Sequence, residues 1–233
     1  MRTLFGRGFR DGLPISVAYL SVSFSVGIAA VKAGIPTVGA ILMSLTNLTS
    51  AGEAAGIDVI AAGGTLIEMV VCQLIINLRY ALMGVSLSQN LAPSFTTGHR
   101  LAVSYGITDE IFAVAITRVE PLTPSYMYGL ILGPMLGWTV GTGLGAAAGS
   151  LLPPVVTSAM GILLYGMFIG IILPPARKDR HILAVILMAA VFRSVFYYFV
   201  PGLTSGFAVC ISAVAASVLG ALLFPGKDAE VTA

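Results

Sequence analysis

Apolar residues run in long blocks along this chain, separated by short breaks of proline, glycine or charge. Six blocks reach membrane-spanning length: Leu13 to Val31, Val59 to Leu78, Tyr126 to Leu152, Val155 to Leu173, Ile182 to Val200 and Leu203 to Phe224. About 20 apolar residues in helical conformation cross the hydrocarbon of a bilayer. Three further stretches, Val38 to Gly56, Ala81 to Leu91 and Leu101 to Thr117, are too short or too polar for a simple span. They read as half-helices or re-entrant segments, which a membrane tolerates only where protein or water surrounds the irregular backbone. The pattern predicts an all-α integral membrane protein with six to eight transmembrane helices and interrupted or re-entrant segments, a single polytopic domain over residues 1–233. Many transporters contain inverted repeats whose sequence similarity has faded. None is legible here.

Composition agrees with the pattern. Of the 233 residues, 57% are hydrophobic and 9% charged, against about 25% charged in a soluble domain; the mean hydropathy is +0.98. From Pro121 to Ala176 there is no charged residue. The net charge of +2 matters through its placement: Arg2, Arg7 and Arg10 precede the first apolar block, and Arg177, Lys178 and Arg180 fill a short loop. The positive-inside rule puts both segments in the cytoplasm. The first block exceeds the apolar core of a signal peptide, which predicts an uncleaved first span. An even number of crossings must then separate the two basic segments, so the ambiguous stretches add none or two. The last two spans return Lys227, Asp228 and Glu230 to the same side.

Gly129, Gly133, Gly137, Gly141, Gly145 and Gly149 recur at every fourth residue of one span. At about 100° per residue each step drifts by roughly 40°, so they form a slowly winding groove that admits a neighbouring backbone. Packing within the chain, a docking face for another subunit and a permeation path lined by backbone are the three readings of that groove. The glycines lie in an apolar helix, not in a loop after a strand, so they do not suggest phosphate binding.

Ionisable residues in hydrocarbon cost at least about 2.5 kcal/mol each on insertion scales, so each needs a reason. The stretch Ser44 to Glu53 packs hydroxyls, an amide, a glycine and a carboxyl into ten residues of an otherwise oily sequence. A helix broken there would offer N–H ends to a carboxylate and carbonyl ends to an ammonium, which suits a zwitterionic amino acid. A polar seam between packed helices is the plainer alternative. Asn47, Thr49, Ser50, Gly52 and Glu53 are therefore the candidate substrate-binding residues. Glu68, Asn77, Arg79, Asp109, Glu110 and Arg193 are candidates for coupling or gating, with static helix pairing as the alternative. Glu68 and Arg79 are separated by about 16 Å of helical rise and cannot pair; Asp109 or Glu110 is the expected partner of Arg79. Arg193 is expected to reach an interface or to pair with Glu53 or Glu68. Cys72 and Cys210 stand in separate apolar runs without metal-ligand spacing and read as small buried hydrophobes. His99 and His181 are expected in loops, and Trp138, Tyr197 and Tyr198 as interfacial anchors.

The opening Gly12-Leu13-Pro14-Ile15, then Leu42-Met43-Ser44, Asn77-Leu78-Arg79, and Thr108-Asp109-Glu110 followed by Phe112-Ala113 resemble, in order and spacing, the AzlC family of branched-chain amino acid permeases across nearly the whole chain. The resemblance implies the large subunit of an exporter in the bacterial inner membrane, acting with a short hydrophobic AzlD-type subunit. Where the family usually carries a Phe-Ala-Gly-Ala-Ser-Gln-like segment, this chain reads Leu48-Thr49-Ser50-Ala51-Gly52-Glu53. A carboxyl in place of the amide favours an ammonium ligand or a proton-coupled step. The expectation is a secondary transporter of small amino acids, embedded in the lipid bilayer, with no cofactor, no catalytic or metal site and no nucleic-acid partner. A proton or ion gradient would drive it, since no Walker-type glycine-lysine motif is present. A passive channel or a non-transporting assembly subunit is the competing function.

Overall fold

In lipid no water satisfies the free N–H groups that open a helix, so the chain must do so itself. Thr3, Thr65, Thr96, Thr108 and Thr123 each accept a first-turn N–H through the side-chain oxygen, and Asp179 does the same. The computed structural model, which describes residues 3–149, 151–200 and 202–224, contains ten α-helices: α1 Leu4–Lys32, α2 Thr37–Asn47, α3 Ala51–Ala61, α4 Leu66–Ser88, α5 Thr97–Tyr105, α6 Asp109–Ile116, α7 Pro124–Ala148, α8 Pro154–Lys178, α9 Arg180–Phe199 and α10 Ser205–Leu223. Among the described residues no strand is present beyond one isolated bridge between Leu91 and Leu122. Five helices, α1, α4, α7, α9 and α10, have the length and apolarity of a span. The 25-residue α8, charged only at Arg177 and Lys178, has the length of a sixth. The protein is an all-α membrane protein.

The expected boundaries need one correction. The block Val59 to Leu78 is not one helix: α3 stops at Ala61, and α4 starts at Leu66 and runs on through Ala81 to Ser88. Gly63, at φ +65°, turns the chain between them. Without a charge at the turn, hydropathy runs unbroken across it. The other two ambiguous stretches are broken helices, α2 with α3 and α5 with α6.

Contacts fix the direction of each element. Gly8 lies against Tyr126, Gly12 against Leu130, Gly27 against Thr142 and Gly145 against Phe24, so α1 and α7 run parallel along their whole length. The four-residue glycine ladder is thus an intramolecular packing seam. A Cβ at Gly137 or Gly145 would run into α1 backbone. The α4 exit meets the α7 entrance where Leu122 N–H donates to Asn90 O and Ala92 N–H to Leu122 O, each at 2.8 Å, so α4 runs opposite to α7. Glu68 touches Gly206 and Cys72 touches Cys210, so α10 runs with α4. Val185 against Gly220 and His181 stacked on Phe224 make α9 antiparallel to α10.

The broken pairs do not cross. After α1, α2 enters beside α7, with Ile41 against Gly143 and Ser44 bonded to Thr142. Then α3 returns antiparallel to α4, with Gly52 beside Gln73 and Gly64 beside Glu68. From the opposite face, α5 rises from His99, bonded to Tyr128, to Gly106 against Ile131. From its start beside Tyr19, α6 descends to Arg118, which lies over the Tyr126 ring. Six crossings and two re-entrant hairpins result, within the expected range. A crossing helix followed by a hairpin occurs twice, as α1 to α3 and as α4 to α6, in opposite senses. This inverted arrangement is not legible in the sequence. The ends of α8 and α10 and the starts of α1 and α9 share one face; Arg2, Lys227, Asp228 and Glu230 lie outside the described residues.

Candidate functional site

The two hairpin tips are bridged inside the molecule by Trp138 and Tyr19. At the first, Leu48 (φ 47°) and Ser50 (φ 43°) adopt left-handed backbone without being glycine, a conformation that costs of order 1–3 kcal/mol per residue and clusters at functional sites. This break points the first turn of α3 inward and buries Glu53 completely. Ser44 Oγ donates to Glu53 Oε2 at 2.6 Å and Trp138 Nε1 donates to Oε1 at 2.8 Å. Since Ser44 spends its one hydroxyl proton on Glu53, the Thr142 hydroxyl, 2.7 Å away, donates to Ser44.

At the second tip Thr108 opens α6 and places Asp109 and Glu110 in its first turn. Arg79 of α4 pairs with Asp109 and lies 5.0 Å from the Tyr80 ring centre. Glu110 takes the Tyr19 hydroxyl, which also lies 2.7 Å from Thr108 Oγ1. Tyr19 and Trp138 pack edge to face at 5.1 Å. A continuous polar and aromatic chain therefore links both tips: Glu53, Trp138, Tyr19, Glu110.

Beside Glu53 opens a cavity of ≈ 340 Å³, lined by Asn47, Gly52, Glu53, Gln73 and Asn77 on its polar side and by Met43, Gly56, Ile60 and Met69 on its apolar side. Gln73 Nε2 donates to Gly52 O at 2.7 Å and Asn77 Nδ2 to Gln73 Oε1 at 3.0 Å. Close approach requires the glycine: a Cβ at Gly52 would stand 2.7 Å from Gln73 Oε1. Asn77 Oδ1 and Thr49 Oγ1 are buried without a partner. Among the described residues no cation pairs with Glu53. The site thus combines a carboxyl lacking a counterion, free acceptors and an apolar wall.

Residues 14–152, which contain both hairpins, match the family described as AzlC protein. This chain belongs to the AzlC family. AzlC proteins are membrane transport proteins. The chain is 31% identical over 229 residues to an "Uncharacterized membrane protein" of Archaeoglobus fulgidus, covering 97% of this chain and 96% of the relative. It is 24% identical over 204 residues to "Inner membrane protein YgaZ" of Escherichia coli strain K12, covering 84% and 83%. No solved structure matches.

Of the residues singled out in this AzlC chain, Asn47, Gly52, Glu53 and Asn77 line the cavity, Thr49 and Ser50 form its broken backbone, and Arg79, Asp109 and Glu110 stand at the second tip. Glu68 and Arg193 lie elsewhere. Glu68 packs at the α4–α10 contact, and Arg193 donates to Ser205 at 3.2 Å instead of pairing with Glu53 or Glu68, because α9 packs on α10 and α8 rather than on α3 or α4. Cys72 and Cys210 are buried but not isolated, their sulfurs 3.0 Å apart across parallel helices. His99 lies in the first turn of α5 and His181 in the first turn of α9, so neither is a loop residue. Trp138 is a buried donor at the centre, not an interfacial anchor. Tyr19, Trp138, Thr142 and Gln73 were not legible as site residues: each is a lone polar group in an apolar run, and only the fold brings them to the carboxyls.

Proposed function

We propose that this AzlC chain is a secondary transporter that exports small, branched-chain amino acids together with a short hydrophobic AzlD-type subunit, driven by a proton or ion gradient. The observation that carries the reading is the two-sided cavity at the α2–α3 break. A substrate ammonium supplies the counterion Glu53 lacks, Asn77 Oδ1 accepts from it, and Met43, Ile60 and Met69 take an aliphatic side chain. The volume suits a small ligand. Hairpins entering from opposite faces, with tips joined through Trp138 and Tyr19, support alternating access: opening one tip exposes the cavity to one side while the other stays closed. The Arg79–Asp109 pair and the Tyr19–Glu110 bond hold the second tip shut. The face carrying Arg7, Arg10, Arg177, Lys178 and Arg180 is the cytoplasmic one by the positive-inside rule, with both chain ends on it and the molecule in a cell inner membrane.

Efflux of leucine, isoleucine, valine and methionine from preloaded cells, with and without the small neighbouring subunit, tests this. Faster efflux with both subunits is expected. No change, with both proteins in the membrane, overturns it. Glu53→Gln and Arg79→Ala are expected to abolish efflux in assembled protein, and full efflux in both variants removes the site.

A further inference from the structure

Glu68 lies outside the cavity, in the first turn of α4, and is 1% exposed. Its Oε1 accepts from the Thr204 hydroxyl and from the Gly206 N–H at 3.0 Å, both at the start of α10. Its Oε2 is buried with no partner. Two glycines from separate elements make room for the carboxyl: a Cβ on Gly64 would stand 2.7 Å from Oε2, and one on Gly206 would stand 2.5 Å from Oε1. Neither has left-handed backbone, so it is space that calls for glycine there: the carboxyl fills it together with Val59, and at Gly206 with Cys72 as well.

A bare carboxylate oxygen away from water is costly, whereas the same oxygen carrying a proton bears no charge. The two donors on Oε1 serve either form, so the group can gain and lose a proton at Oε2 without rearranging its other bonds. We propose that Glu68 is the proton-binding site of this protein: the carboxylate takes up one proton at Oε2 to become the neutral acid and later returns it, with no other bond made or broken. The site stands at the face reached by the α3–α4 and α9–α10 turns, and Thr204, which covers it, is exposed. The ionisable groups on the elements around it are Asp58 on α3, exposed; Cys72 on α4 and Cys210 on α10; and Arg193 on α9, held by Ser205. A hard cation fits poorly, because it needs several oxygen ligands and here meets an N–H donor; among the described residues no group of three His, Cys, Asp or Glu is placed to hold a softer one.

As a coupling site this rests on the transporter reading; as a proton site it does not. Infrared difference spectra of the purified protein between acid and alkaline pH should contain a carboxylic-acid carbonyl band that Glu68→Gln lacks and Glu68→Asp retains. An identical band in Glu68→Gln overturns the proposal. In vesicles containing the chain and its partner subunit, Glu68→Gln should lose uphill movement driven by a pH gradient yet keep exchange of labelled for unlabelled amino acid, which also reports a folded protein. Uphill movement equal to wild type in the variant, or driven by sodium in place of protons, overturns it. If wild type moves no amino acid at all, the exporter reading fails while the infrared result still decides the proton site.

Discussion

Glu53 shows how a residue that is costly in isolation becomes stable in context. Its carboxyl is fully buried, but each oxygen has a donor, supplied from α2 and α7. Trp138→Phe keeps the ring contact with Tyr19 and removes one donor, which should lower stability by about 1–3 kcal/mol; thermal unfolding in detergent measures it. The companion Ser44→Ala removes a donor from the other oxygen and breaks the relay to Thr142, so a loss of similar size is expected. Gly52→Ala pushes a methyl into Gln73 and Thr49 and should abolish efflux while the protein still reaches the membrane. Normal efflux in Gly52→Ala would show that the close approach of α3 to α4 is not needed. At this scale the sequence showed which residues are chemically unusual, since Glu53, Arg79 and Asp109 are rare types in oil. It did not show Trp138 or Tyr19, because aromatic residues are unremarkable in a membrane span until something polar faces them.

Between elements, the α1–α7 seam carries the most close backbone contact. Lipid tails are as apolar as leucine, so helices associate through close packing rather than through exclusion of water, and a ladder of small residues is the device that achieves it. Gly145→Val would put its Cβ 2.7 Å from the Phe24 carbonyl carbon; a large loss of monodisperse protein in size-exclusion chromatography is expected. Gly166→Ala on α8 is the matched control, since a Cβ there meets nothing within 4 Å, and it should elute as wild type does. The ladder was readable from its spacing alone, but its partner was not: α1 lies over a hundred residues away and runs parallel, a pairing that no local rule specifies. The turn at Gly63 went unread for the opposite reason, since its neighbours are as apolar as a span.

For the whole molecule, the decisive feature is that the broken helices return to the face they entered. Lys32→Cys and Ala62→Cys, introduced singly after replacement of Cys72 and Cys210, should react with an impermeant thiol reagent from the same side. Val119→Cys and Asp179→Cys should react from the other. Labelling of Lys32→Cys and Ala62→Cys from opposite sides would mean that α2 and α3 together make one crossing and that the hairpin description is wrong. Reaction of the Lys32 and Ala62 variants from outside the cell also fixes the basic face as cytoplasmic.

The sequence by itself determined the solvent of this protein and the approximate number of spans, and among its three ambiguous stretches were the two where helices break, with the polar residues at those breaks. All of these follow from local composition, because hydrocarbon length and the cost of an unsatisfied backbone group act on each segment alone. Only the tertiary structure decided that the breaks fold back as hairpins from opposite faces, that Glu53 and Glu110 are joined through Trp138 and Tyr19, and that Glu68 stands apart with α10. Those facts depend on which helices pack together and in which direction, and contacts between residues so far apart in the chain leave no trace in its hydropathy.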